Sequence, residues 1–187
     1  MAIAEKTGVF SESACPGENG GLGMASGSAR YANDAGAWVL RLAGDVRHPL
    51  APALNALLDR AFEDTALTRF VIDLSAAEGI DSTCLGILAR IANHLSGRGL
   101  GRPAIISPNA DVTTLLRVVC FDRLFHLVAD PPIDPQRLEP VAAQAADERD
   151  MLALILEAHR RLCAIDARTH TVFQDVVTAL ETEQRGS

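Results

Sequence analysis

The 187 residues are 48% hydrophobic but only 4% aromatic, enough for one aliphatic core, either a single domain or a small domain with an appendage. A net charge of −7 argues against a general nucleic-acid binder or a binder of anionic membranes. The only lysine, Lys6, lies in a Gly/Ser/Ala-rich N-terminal stretch, which disfavours phosphate-binding loops ending in Lys-Ser/Thr, pyridoxal Schiff bases and protein-kinase centres.

Residues 1–33 are rich in Gly, Ser and Ala without sustained periodicity, and are expected to form a disordered extension. Met24 offers a second start, with 1–23 as an upstream extension. From residue 34 the pattern changes. Ala37–Ala43 alternates Trp38, Leu40, Leu42 against Val39, Arg41, predicting a strand that Gly44 ends. After Pro49, the spacing of Leu54, Leu57, Leu58, Ala61 and Phe62 predicts a helix over about 50–63. The apolar run Phe70–Leu74 reads as a strand covered on both faces. Ser82–Leu95 reads as a helix stopped by Gly97 and Gly99. A strand at 103–107, a short helix at about 111–119 and a strand at 124–128 complete a β-α-β-α-β-α-β order. That order predicts an α/β layer with a small, largely parallel sheet over 34–130. Pro131-Pro132 and Pro135 close it.

Residues 141–183 contain neither Gly nor Pro. Leu152, Ile155, Leu156, His159, Leu162 and Cys163 share one helical face, and Val172, Phe173, Val176, Val177 and Leu180 share another. Asp166 is placed to cap a second helix, so 131–187 is expected to be a linker and a C-terminal helical hairpin. Its apolar faces exceed what an isolated hairpin can bury. The expected cover is the sheet layer of the same chain, with a second copy (a homodimer) or a partner as alternatives.

Four dispersed cysteines without a Cys-x-x-Cys pair, and no apolar run of membrane length, point to a reducing compartment, the cytoplasm, with no cofactor. No pair of the five histidines has i, i+4 ligand spacing and no His-Glu-x-x-His occurs, which disfavours a metal site. Gly97-Arg98-Gly99-Leu100-Gly101 follows a helix, the wrong context for a dinucleotide loop.

The stretch Asp81-Ser82-Thr83-Cys84-Leu85-Gly86 carries the clearest functional signal. It joins a buried strand to a helix start, where free N–H groups and the helix dipole favour an anion. The plain structural reading is an N-cap by Asp81 with Ser82 and Thr83 in the first turn. A phosphate on Ser82 would also be well placed. The stretch resembles the phosphorylation motif of STAS-domain anti-sigma factor antagonists, Asp-Ser-[Ser/Thr]-small-Leu-Gly. The resemblance spans about Trp38–Val128. It includes Leu42-Ala43-Gly44-Asp45, the following helix, Val71-Ile72-Asp73-Leu74-Ser75 and the Gly-Phe-like Cys120-Phe121-Asp122.

The resemblance implies a phosphorylation-switched binding module with Ser82 as acceptor and Thr83 as the weaker candidate. Unphosphorylated, such a module binds an anti-sigma factor that is often a serine kinase; a serine phosphatase resets it, and the module itself catalyses nothing. Asp81 and Gly86 would shape the turn, and Arg47, His48 and Asp111 would border the partner surface. One departure stands out: where family members usually read Gly-Glu-Leu-Asp, this chain has Gly44-Asp45-Val46-Arg47. Arg47 and His48 either attract a phosphate already in place, mark a member not switched in the usual way, or are solvated loop charges. Two other readings remain: a scaffold of the same fold acting through its C-terminal helices, and a small serine hydrolase, the latter without a Gly-x-Ser-x-Gly elbow.

Overall fold

In a computed structural model, residues 27–129 and 137–186 are described. Most of the proposed 1–33 extension, Met24 and the prolines at 131, 132 and 135 lie outside them. Six strands form one mixed sheet: β1 (Ser28–Asp34), β2 (Ala37–Val46), β3 (Arg69–Ile80), β4 (Ala104–Ile106), β5 (His126–Val128) and β6 (Glu139–Pro140). Their spatial order is β5-β4-β3-β2-β1-β6. β2, β3, β4 and β5 are parallel neighbours, while β1 pairs antiparallel with β2 and β6. The helices are α1 (Ala51–Glu63), α2 (Ser82–Gly97), α3 (Ala110–Val118), α4 (Glu148–Cys163) and α5 (Ala167–Gly186).

Three expectations need correction. Residues 28–33 belong to strand β1 rather than to an extension. Their Ser and Ala content hides a partner-defined strand, paired along its length with β2 through a tight turn at Ala35 and Gly36, both with positive φ. Gly36 has no alternative there: φ is +84° and an added Cβ would lie 1.7 Å from the Ala66 carbonyl oxygen. Ala35 is not so constrained in space but is strained at φ +48°. Ala35→Asn, which tolerates that region and makes the favoured Asn-Gly hairpin turn, is expected to raise stability by about 0.5–1 kcal/mol, read as a higher urea midpoint.

Second, Gly44 does not end β2. At φ +69° it sits in a register irregularity against β3, and pairing continues to Val46–Ile80. The glycine absorbs a bulge rather than a stop. Third, residues 124–125 precede the last strand: a single 3-10 turn over Phe121–Arg123 ends there and β5 starts at His126. Cys120, before that turn, holds φ +58°, the conformation for which a glycine is ordinarily used.

The core lies between the sheet and the helices. Trp38, Leu40, Leu42, Phe70, Ile72 and Leu74 from the strands meet Leu54, Leu58, Leu85, Leu88 and Ile91 from α1 and α2. Full burial of each such side chain is worth about 1.5–3 kcal/mol. α1 and α2 pack on each other, α4 lies on α2 and touches α1, and α5 packs on α4. Asp166 caps α5 through the Arg168 N–H at 2.8 Å, as its place between the two apolar faces predicts. α4 therefore packs on the sheet domain of its own chain, through α2 and α1. α5, however, is mostly exposed, with Val172 at 60% and Val176 at 40%.

One charged pair lies inside the sheet. Asp73 is fully buried on β3, and its carboxylate faces the Arg41 guanidinium on β2 at 3.5 Å while accepting the Ser75 N–H at 2.9 Å. Near the end of α2, His94 stacks on Phe62 at 4.1 Å between ring centroids. Burial lowers the His94 pKa below its ordinary value, with Arg98 and Arg90 adding to the effect. The folded state thus prefers the neutral ring, and stability drains away as pH falls below the unfolded value of about 6.5. His94→Gln is expected to lessen the fall in melting temperature between about pH 7 and pH 5; an unchanged slope would count against this assignment.

Candidate functional site

β2 and β3 end side by side, with Val46 paired to Ile80. Arg47-His48 and Asp81-Ser82 therefore leave the sheet together at its carboxyl end, where open parallel sheets place their sites. The register irregularities put their extra residues on β3, and past them the Val46 carbonyl accepts the Asp81 N–H at 3.0 Å.

Asp81 is the N-cap of α2, as its sequence position predicts. One carboxylate oxygen accepts the Cys84 N–H at 2.8 Å. The other accepts the His48 N–H at 2.6 Å, and the His48 ring Nδ1 lies 3.8 Å from it. A single side chain thus holds the helix start and the 47–48 turn in register. Arg47 joins the same turn but is occupied: its Nε donates to Asp45 Oδ1 at 2.7 Å. Asp45 raises the arginine's pKa, with a smaller contribution from Asp81. Before any modification, the departure from the family pattern is therefore a locally balanced Asp45–Arg47 pair beside Asp81, not an isolated cation.

Ser82 is the first residue of α2 and is half-buried. Thr83 is buried, only 4% exposed, so Ser82 is the hydroxyl of the two with solvent access. The Ser82 Oγ lies 2.9 Å from His159 Nε2, and His159 Nδ1 lies 2.8 Å from the Ile155 carbonyl oxygen. A carbonyl can only accept, so Nδ1 carries a proton; in the neutral ring, Nε2 then accepts the proton of the serine hydroxyl. His159 is 5% exposed and meets Phe173 edge-on. The sequence places His159 on an apolar helical face but does not connect it with Ser82. The available signal was a lone imidazole between Leu156 and Leu162.

Gly86 sits one turn further along α2. A Cβ there would lie 2.2 Å from the Ala158 carbonyl oxygen, so the backbones of α2 and α4 touch. The glycine of the motif therefore serves a helix crossing in this chain. Cys84, between Ser82 and Gly86, is fully buried; burial pushes its thiol pKa up, with Asp81 adding, which keeps it protonated and inert. Asp111 lies exposed in the first turn of α3, its N–H bound by the Asn109 side chain. Asn109 in turn reaches the Ala77 carbonyl on β3. The structure thus brings Asp81, Ser82, Arg47 and His48 together and ties Asp111 to a different turn.

No curated protein matches the sequence. Among solved structures, the chain is similar to the unphosphorylated form of the anti-sigma factor antagonist SpoIIAA, at 16% identity and a TM-score of 0.49, over 55% of this chain and 90% of that one. It is also similar to the phosphorylated form of SpoIIAA, described as a Bacillus cell fate determinant, at 15% identity and a TM-score of 0.46, over 55% and 93%. The family model described as "Mlab, STAS domain" matches residues 29–129. That stretch is more than half of the chain and contains the whole Asp81–Gly86 turn, so the protein belongs to the STAS-domain family.

Proposed function

We propose that this STAS-domain protein is a phosphorylation-switched binding module, an anti-sigma factor antagonist with Ser82 as its acceptor. Unphosphorylated, it holds an anti-sigma factor that acts as a serine kinase; phosphorylation ends the binding and a serine phosphatase restores it. In this reading the protein is a substrate and not a catalyst. The observation that carries it is the position of Ser82: a half-buried residue at the start of α2, beside Asp81 and the Arg47-His48 turn. A phosphate there adds nearly two negative charges at a helix start, which changes the local field without unfolding the helix. Against a docked partner those charges are repelled or stripped of water.

The test is intact mass after incubation with an anti-sigma factor kinase and ATP, followed by pull-down of that kinase. One added phosphate, lost in Ser82→Ala, together with loss of the complex in Ser82→Asp, is the expected result. No mass change with a kinase shown to be active sinks it.

A second reading is favoured by the exposed Val172 and Val176 of α5: a scaffold whose Ser82 is never phosphorylated and which binds through its C-terminal helices. Partner capture unaffected by Ser82→Asp and lost on substituting these valines with charged residues selects it. The serine-hydrolase reading gains the Ser82–His159 bond, yet the second nitrogen of that histidine is held by a backbone carbonyl, not by the carboxylate of a triad. Ester turnover abolished by Ser82→Ala is what that reading requires.

A further inference from the structure

The Ser82 surface already has an occupant, and it is part of the same chain. α4 lies along α2, with its backbone at Ala158 against Gly86 and the ring of His159 on the Ser82 hydroxyl at 2.9 Å. We propose that the α4–α5 hairpin is an intramolecular ligand of the Ser82 face of α2: it masks the serine, and any kinase or partner that engages this face must first displace α4. This rests on the reading of Ser82 as the regulated hydroxyl and adds the device that regulates access to it.

Two features support a displaceable mask rather than a fixed part of the core. The hairpin is lightly anchored for its size. α4 buries Leu156, Ala158, His159 and Leu162, while α5 buries only Thr169, and segments with few buried apolar contacts open at low free energy. The contact at the serine is polar and made by a side chain 5% exposed, so it satisfies the buried imidazole only when α4 is docked. Against opening, the hairpin turn is also tied to the domain: Asp166 meets Arg123 at 2.5 Å, and the Arg168 guanidinium lies 3.3 Å from Cys120 Sγ. Asp166 and Arg168 are neighbours at the tip, so the hairpin is pinned both there and at α2. A competitor that fits the same face presents a helix with a small residue opposite Gly86 and a hydrogen-bonding group opposite Ser82, as α4 does.

The experiment uses the full chain with Ser82→Cys and follows alkylation of that position by iodoacetamide, distinguished from Cys84 in the same peptide by fragmentation. It needs no kinase, so its outcome is independent of whether Ser82 is ever phosphorylated. The rate is compared with that of the double variant Ser82→Cys, Gly86→Ala. The added methyl improves the intrinsic helix preference of α2, yet it meets the Ala158 backbone at 2.2 Å and forces α4 away. The expected result is alkylation roughly tenfold or more faster in the double variant, together with faster amide exchange across α4 and α5 and unchanged exchange in β2 and β3. Equal alkylation rates, or faster hairpin exchange without faster alkylation, overturns the mask. Should Gly86→Ala unfold the sheet, His159→Ala replaces it in the same comparison with the same criteria. Masking without phosphorylation would leave this inference standing and remove the switch; phosphorylation with equal alkylation rates would do the reverse.

Discussion

Asp73→Ala is expected to cost about 3–5 kcal/mol of folding stability, the range for breaking a buried ion pair by removing one partner. Asp73 has no solvent exposure, and the Arg41 side chain facing it at 3.5 Å is 14% exposed. Removing the carboxylate takes away the negative charge that faces the Arg41 guanidinium inside the sheet. It also strips the Ser75 N–H of an acceptor, in the stretch where β2 and β3 lose register. Against a total of about 5–15 kcal/mol for an ordinary domain, this is a large fraction of the stability, and at the lower end of that range it leaves the fold close to its unfolding midpoint. Urea denaturation gives the value. Arg41→Met with Asp73→Leu, which removes both charges and keeps the volume, is expected to recover most of the loss. A double variant no better than Asp73→Ala would show that the hydrogen bond to Ser75, and not the charge, is what matters.

Leu162→Ala is expected to cost about 2–5 kcal/mol, in the range for a leucine deleted from a packed interior, and to cost it mainly in one place. Leu162 is fully buried and, with Ala158, belongs to the same apolar cluster as the sheet and α2. It is thus one of the few side chains by which the hairpin holds the domain. Hydrogen exchange separates two forms of the loss. Undocking predicts protection of α5 amides falling by about 30-fold or more, while the β3 amides keep theirs. An equal fall in both would mean that the hairpin and the sheet unfold as one unit and that no independently opening segment exists.

Much of the fold was legible in the sequence because hydrophobic period and helix caps act locally. The 3.6-residue spacing in α1 and α2 and the aspartates at 81 and 166 needed no tertiary information. The errors lie where pairing decides. β1 is short, small and polar, and is a strand only because β2 offers it a ladder. Gly44 reads as a terminator because a left-handed glycine looks the same in a turn and in a bulge. The site divides along the same line. Asp81, Ser82, Arg47 and His48 meet because two adjacent parallel strands end together, which follows from the strand order. His159 is 77 residues from Ser82, and nothing local to either residue encodes that contact. Gly86 was legible as part of the motif, but its role as the crossing point of two helices depends on the same distant segment.

The two ends of the sheet also bear on how anything can bind to it. Among the described residues, one end is β5, three residues long, and the other is β6, two residues long and including Pro140, which has no N–H to donate. β5 and β6 themselves offer only two or three residues of ladder to a foreign strand, whether a partner's extended peptide or another copy beginning to aggregate. Strand addition at β5 or β6 is therefore poorly served, whereas β1 beyond Tyr31 and β3 beyond Asp73 run past what β6 and β4 cover. Binding at the β5 and β6 margins falls to side chains, whose affinity responds to single substitutions more sharply than a backbone ladder would allow.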